Sequence, residues 1–156
     1  AVYFTRGTGH NPQAVYSERP DDWEQNLKRL ERKHDTARTL VPKPEVDIRE
    51  SAEVGIIAYG SSRDAIQEAR DRLREEGVET SYLRVRALPL EQTLTDFVNA
   101  HKRLYVVELN IDGQLRSLVR LHVPERSIEI RSIAHVDGLP LTAAFVRKAI
   151  LEQEQN

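Results

Sequence analysis

The residues best suited to chemistry fall in two places. Near the start, Arg6-Gly7-Thr8-Gly9-His10-Asn11-Pro12 sets a cation, a hydroxyl, an imidazole and an amide on a glycine-rich loop. Such a loop could hold an anionic substrate or cofactor group through charge-assisted hydrogen bonds. It could equally be a structured loop that packs against a neighbouring domain. Further on, Gly60-Ser61-Ser62 joins an apolar run to a helical pattern. Free backbone N–H groups at a helix N-terminus bind anions. The sequence lacks the three-glycine dinucleotide fingerprint and no Walker lysine follows, so the plainer reading is a strand–turn–helix with a serine cap.

Glu108 and Asp112 form a carboxylate pair of the kind that shares acid and base work when burial separates their pKa values. The plainer reading has Glu108 satisfying backbone donors in a turn and Asp112 capping the next helix. The five histidines, His10, His34, His101, His122 and His135, form no HxxxH or HExxH pair. His34 and His101 fall on expected helices and read as solvated. His10 and His135, the latter followed by Asp137, fall in turns and are the functional candidates. No metal-ligand pattern is present.

The composition narrows the classes. With no cysteine, disulfides, thiolate nucleophiles and iron–sulfur ligation are excluded from this chain. A net charge of -2 gives no field for nucleic acid or an anionic membrane, and no apolar run is long enough to span a bilayer. The expectation is therefore a cytoplasmic chain with neither nucleic acid nor membrane as partner. Methionine is also absent, and Ala1-Val2-Tyr3-Phe4-Thr5 reads as an interior strand, as though the chain were part of a longer one.

These residues need elements to position them. Residues 1–44 read as an arm: a loop, then a helix, then a Pro-rich linker. Pro20 suits a first helical turn, Asp21, Asp22 and Glu24 complement its positive end, and Trp23, Leu27, Leu30, Ala37 and Leu40 make an apolar stripe. Pro42 and Pro44 end the helix. Residues 45–156 alternate between strand and helix. Strands are expected at Val46–Ile48, Val54–Tyr59, Thr80–Val85, Arg103–Leu109 and Ser127–Ala134, the last an edge strand. Helices are expected at Arg63–Glu75, after Pro89, at Gln114–His122 and at Leu141–Glu152. Alternation of this kind implies crossovers and a mostly parallel sheet with helices on both faces, a three-layer α/β/α domain. Ligands of open sheets sit at strand carboxyl ends. Here those ends hold Ser61, Ser62, Glu108, Asn110, Asp112, His135 and Asp137.

Arg6 to Pro12, Tyr16-Ser17-Glu18, Asn26 to Lys33, Leu40 to Pro44, Gly55 to Ser62, Arg84 to Pro89, Val106 to Asn110, Asp112 to Leu115 and His135 to Thr142 run in an order and spacing that resemble the alpha subunits of 2-oxoacid:ferredoxin oxidoreductases. The resemblance is to the stretch joining two core domains and to the second of them. It implies a transketolase C-terminal-like domain with a five-stranded mixed sheet and one antiparallel edge strand. It also implies a parent enzyme that decarboxylates a 2-oxoacid, passes the acyl group to coenzyme A and reduces ferredoxin. Thiamine diphosphate, Mg2+ and iron–sulfur clusters are implied for the preceding domain or the thiamine-binding beta subunit. This chain lacks the Gly-Asp-Gly…Asn motif, the Tyr-Pro-Ile-Thr-Pro-like loop and the cluster cysteines, so none of these groups is expected on it alone. The loop with Arg6, Thr8, His10 and Asn11 is implied to approach the substrate side or an interface. The domain's own work is then assembly. The rival expectation is a free-standing module binding a small molecule or anion at Gly60-Ser61-Ser62 and Asn110–Gly113.

Overall fold

The computed structural model describes residues 7–155. Arg6 and the strand-like Ala1–Thr5 lie outside them. The chain divides into two compact units, Ala1–Val41 and Pro42–Asn156.

In the first unit a tight loop leads into α1 (Pro20–Leu40), a 21-residue helix. The loop is organised by Asn11, whose Oδ1 accepts from the backbone N–H groups of Gln13 and Val15, both at 3.0 Å. Ser17 Oγ donates to Asp22 Oδ2 at 2.6 Å and accepts from Arg19 N, which ties the loop to the first helical turn. Trp23, Leu27 and Leu30 are spaced to line one face. All three are at least 40% exposed, and α1 contains no buried residue.

The second unit is built on five strands: β1 (Glu45–Asp47), β2 (Val54–Tyr59), β3 (Thr80–Val85), β4 (Arg103–Glu108) and β5 (Ile130–Ala134). Their order is β1-β3-β2-β4-β5. All pairings are parallel except that of β1 with β3. The helices are α2 (Arg63–Glu75), α3 (Gln92–Ala100), α4 (Gln114–His122) and α5 (Ala143–Glu154). β2 is central and buried along Val54–Ala58, as its continuous apolar run requires. Strand alternation sends Ile56, Ala58, Tyr82, Tyr105 and Val107 toward α2 and α5. Ile57, Leu83, Leu104 and Val106 face Leu94, Phe97, Leu115 and Val119 of α3 and α4. The sheet is thus covered on both faces, as a mostly parallel sheet must be.

Gly55 permits the closest approach in this packing. A Cβ there would meet Phe97 at 2.8 Å and His101 and Leu104 at 3.0 Å. His101 corrects one expectation. It is 3% exposed, its Nδ1 donates to the Phe97 carbonyl at 2.7 Å, and its ring stacks on Phe97 at 4.4 Å. As the residue that ends α3, it turns inward onto the sheet instead of outward to solvent. The last strand is also shorter than its alternation suggested. Ser127 N and Glu129 N bond back to Pro124 O and Arg126 O, so the 3-10 turn at Pro124–Arg126 holds this stretch out of the sheet. Ile128 is left 88% exposed, and pairing starts at Ile130.

Candidate functional site

The chain reverses its crossover direction between β2 and β4. β2 feeds α2 on one face of the sheet and β4 feeds α4 on the other. That is a topological switch point, the place where open α/β sheets leave a crevice.

On the β4 side the crevice has been closed by side chains. Glu108 is 1% exposed. Its Oε2 accepts from Leu115 N at 2.7 Å and from Asn110 Nδ2 at 2.6 Å, and its Oε1 accepts from Arg116 N at 3.1 Å. Asn110 Oδ1 accepts from Gly113 N at 2.8 Å and Gln114 N at 3.1 Å. The donors that a helix start leaves free are therefore taken by Glu108 and Asn110. The expected role for Glu108 holds, while that for Asp112 does not. Asp112 is exposed, and the cap position belongs to Gly113, whose φ of 65° favours glycine. The hydrogen-bond partners of Glu108 are Asn110, Leu115 and Arg116, and Asp112 is not among them.

On the β2 side, Gly60-Ser61-Ser62 forms a 3-10 turn ahead of α2. Neither serine caps α2 through its side chain. Ser62 Oγ, buried, donates to the Tyr59 carbonyl at 2.7 Å, and Ser61 is exposed. The 3-10 turn puts Ser62 itself in helical conformation, φ -71°, so it lacks the extended backbone that an N-cap needs.

At the end of β5, His135 Nε2 lies 2.9 Å from Asp137 Oδ1, and its ring packs on Phe145 at 4.3 Å. Asp137 Oδ1 also accepts from Leu139 N at 2.8 Å. His135 N donates to the Glu108 carbonyl at 3.0 Å, so the ends of β4 and β5 are joined through backbone. These contacts position the turn.

In the first unit, His10 Nδ1 donates to the Thr8 carbonyl at 2.9 Å, and Thr8 is exposed. Asn26 Nδ2 donates to the His10 carbonyl. With Asn11, Arg29 and Arg32 they surround a cleft of about 360 Å³ between the loop and α1. Among the described residues the guanidinium groups of Arg29 and Arg32 have no acidic partner.

A second cleft, about 390 Å³, lies at the carboxyl ends of β2 and β3 against α4, lined by Tyr59, Val85, Arg86, Leu88, Leu115 and Leu118. The rival expectation had Gly60-Ser61-Ser62 meet Asn110–Gly113. Gly60 does line this cleft, but with α4 and the end of β3 and without Asn110–Gly113, where Gly113 N and the Asn110 amide are already engaged. Leu118 and Leu88 were missed from sequence. The available signal was that Leu115, Leu118, Val119 and Leu121 extend around more of α4 than one buried face needs.

At the start of α4 the backbone donors are engaged by Glu108, which leaves no cradle there for a diphosphate, and the chain has no cysteine to ligate a cluster. Among the described residues no group of three or more His, Asp or Glu side chains could hold a metal. No described helix is long and apolar enough to cross a membrane.

Comparison with known proteins places this architecture. The family model for pyruvate:ferredoxin oxidoreductase core domain II matches residues 52–144. Subunit alpha of 2-oxoacid:ferredoxin oxidoreductase 2 from Aeropyrum pernix is 29% identical over 155 residues, covering 96% of this chain and 24% of that subunit. This chain thus spans about a quarter of that relative's length. A 2-oxoglutarate:ferredoxin oxidoreductase from Magnetococcus marinus, solved with 2-oxoglutarate, coenzyme A and succinyl-CoA bound, has the same fold. Its TM-score is 0.77 at 24% identity, over 98% of this chain and 27% of that one. A split gene transketolase, described as an inactive beta4 tetramer, shares the fold at a TM-score of 0.59 and 20% identity, over 70% of this chain and 41% of its own.

Proposed function

This chain belongs to the pyruvate:ferredoxin oxidoreductase core domain II family, and from that membership we propose that it works as an assembly domain in the alpha subunit of a cytoplasmic 2-oxoacid:ferredoxin oxidoreductase. The assembled enzyme converts a 2-oxoacid to its acyl-CoA with release of carbon dioxide and reduction of ferredoxin. Thiamine diphosphate, Mg2+, coenzyme A and the iron–sulfur cluster are held by other domains or by a thiamine-binding beta subunit. This domain supplies surface, not reacting groups.

The observation that carries the proposal is the reach of the likeness to the Aeropyrum pernix alpha subunit. It takes in the arm as well as the α/β unit, 96% of the chain, well beyond the matched residues 52–144. Two surface features support it. The apolar stripe of α1 is exposed, and so are Tyr59, Leu88, Leu109, Ile111, Val136 and Leu139 at the strand carboxyl ends. Exposed apolar side chains grouped on one helix face or one sheet edge suit contact with another surface. The loop with Arg6, Thr8, His10 and Asn11 belongs to the same reading, as the segment that meets the catalytic core.

The test is purification from the native host with an antibody to this domain. The expected preparation contains a longer alpha polypeptide, a thiamine-binding partner, and 2-oxoacid-dependent and CoA-dependent reduction of ferredoxin. A polypeptide that elutes without partner and without that activity would overturn the proposal.

A further inference from the structure

The two ends of the sheet differ in chemistry. The amino end is laced with ion pairs: Lys102 and Arg103 on Glu53, Arg103 on Glu154 at 2.9 Å, and Arg49 on Glu79. The carboxyl end carries the exposed apolar side chains and the 390 Å³ cleft. In that cleft Val85 and Leu115, 8% and 6% exposed, are the floor, and Leu88 and Leu118, 55% and 43% exposed, are the lips. Among the described residues Arg86 is the only charged one lining it. Its Nε lies 3.8 Å from Glu45 Oε1, while the other carboxylate oxygen of Glu45 is held by Arg84 at 3.3 Å. Arg86 therefore remains available to a second carboxylate. The α4 amides beside the cleft are consumed by Glu108 and Asn110, so the charged side chain that favours an incoming anion is Arg86.

Such a cleft fits an apolar side chain with an acidic neighbour. A small molecule would fill it and leave the adjoining rim wet. β2 and β4 are hydrogen-bonded neighbours, so Leu109 and Ile111 at the end of β4 extend the apolar surface from Tyr59 at the end of β2. A polypeptide covers both. A second copy meeting this cleft about a two-fold axis would bring another Arg86 to it, not a second carboxylate.

Resting on the assembly reading above, we propose that the cleft between Leu88 and Leu118 seats a segment from another domain or subunit of the oxidoreductase, one that inserts an apolar side chain and sets an Asp or Glu against Arg86. The test uses the assembled enzyme with p-benzoylphenylalanine in place of Leu118, an exposed position that tolerates the ring. Irradiation is expected to join this domain to a peptide of another domain or subunit with an Asp or Glu within two residues of the cross-link. Arg86→Glu is expected to speed dissociation of that contact by at least about tenfold, and reversing the mapped acid to Arg in the same enzyme is expected to restore it. A cross-link to the same domain of a second copy overturns the assignment, as does an intact assembly that gives no cross-link or a charge swap that rescues nothing. If the unmodified protein purifies with no partner polypeptide and no 2-oxoacid-dependent electron transfer, the assembly reading itself has failed and the seat falls with it.

Discussion

Glu108 shows how a buried acid can be wholly structural. It receives two backbone N–H groups of α4 and the Asn110 amide. Removing it strands the buried Leu115 N–H, the half-buried Arg116 N–H and the partner that orients Asn110. Glu108→Ala should cost about 2–3 kcal/mol, since hydrogen bonds to a charged group are worth about 1.5–3 kcal/mol. Asp112→Ala, at an exposed position, should stay within about 0.5 kcal/mol. Urea midpoints at unchanged m-value measure both, and equal effects would refute the capping assignment. Tyr82 makes a pH-dependent case. Its hydroxyl is buried with no hydrogen-bond partner among the described residues. Burial, more than the opposing pull of Arg84 and Arg63, pushes its pKa up to about 12. The fold thus favours the neutral phenol. Its contribution is fully present below the unfolded value near pH 10 and is lost as pH rises toward about 12. Tyr82→Phe should leave neutral-pH stability unchanged or raised by up to about 1 kcal/mol. Its denaturation midpoint should fall less than the wild type's across that alkaline window.

At the scale of elements, β1 depends on one buried cation. Arg70 of α2 is fully buried. Its guanidinium donates to Asp47 Oδ2 at 2.6 Å, to Gln67 Oε1 at 2.9 Å and twice to the Thr80 carbonyl. This fastens helix, edge strand and the start of β3 together, and the Arg70 partner holds the Asp47 pKa below its ordinary value. Arg70→Ala should destabilise the domain by about 2–4 kcal/mol through the lost packing and bonds. Hydrogen exchange at Val46, Asp47, Tyr82 and Leu83 should accelerate more than at the centre of β2; uniform acceleration would mean that Arg70 serves the whole core instead. Sequence could not reveal this tether, because Arg70 sits among charged residues on α2 and its partners are 10 and 23 positions away in the chain. The elements themselves were legible, since helix stripes, the buried run of β2 and the Pro and Gly stops are local signals. What failed depended on distant contact or on turn geometry. His101 looked solvated until Phe97 and Gly55 supplied its pocket. Ile128 fitted a strand alternation that the Pro124 turn withdrew. The two serines fitted a cap that the 3-10 turn made unnecessary. The Leu88–Leu118 cleft brings together two loops and a helix face, and no local pattern encodes it.

At the scale of the whole molecule, the arm carries its own reporter. Trp23 is the only tryptophan, and it lies on the exposed stripe of α1 at 57% exposure. In the isolated chain its emission should be that of a wetted indole, readily quenched by iodide. In the assembled enzyme, with other tryptophans replaced by phenylalanine, it should shift to the blue and lose that quenching. Unchanged emission would mean that the stripe of α1 is not a contact surface. The outer strand β1 bears on a different question, that of crowding. It has only three residues, all exposed, and two of them are the acids Glu45 and Asp47. An unpaired edge this short and this charged is a poor template for another chain's backbone. On this flank the chain resists fibrous polymerisation through its backbone, and crowded copies of it gain little by growing ribbons from that edge.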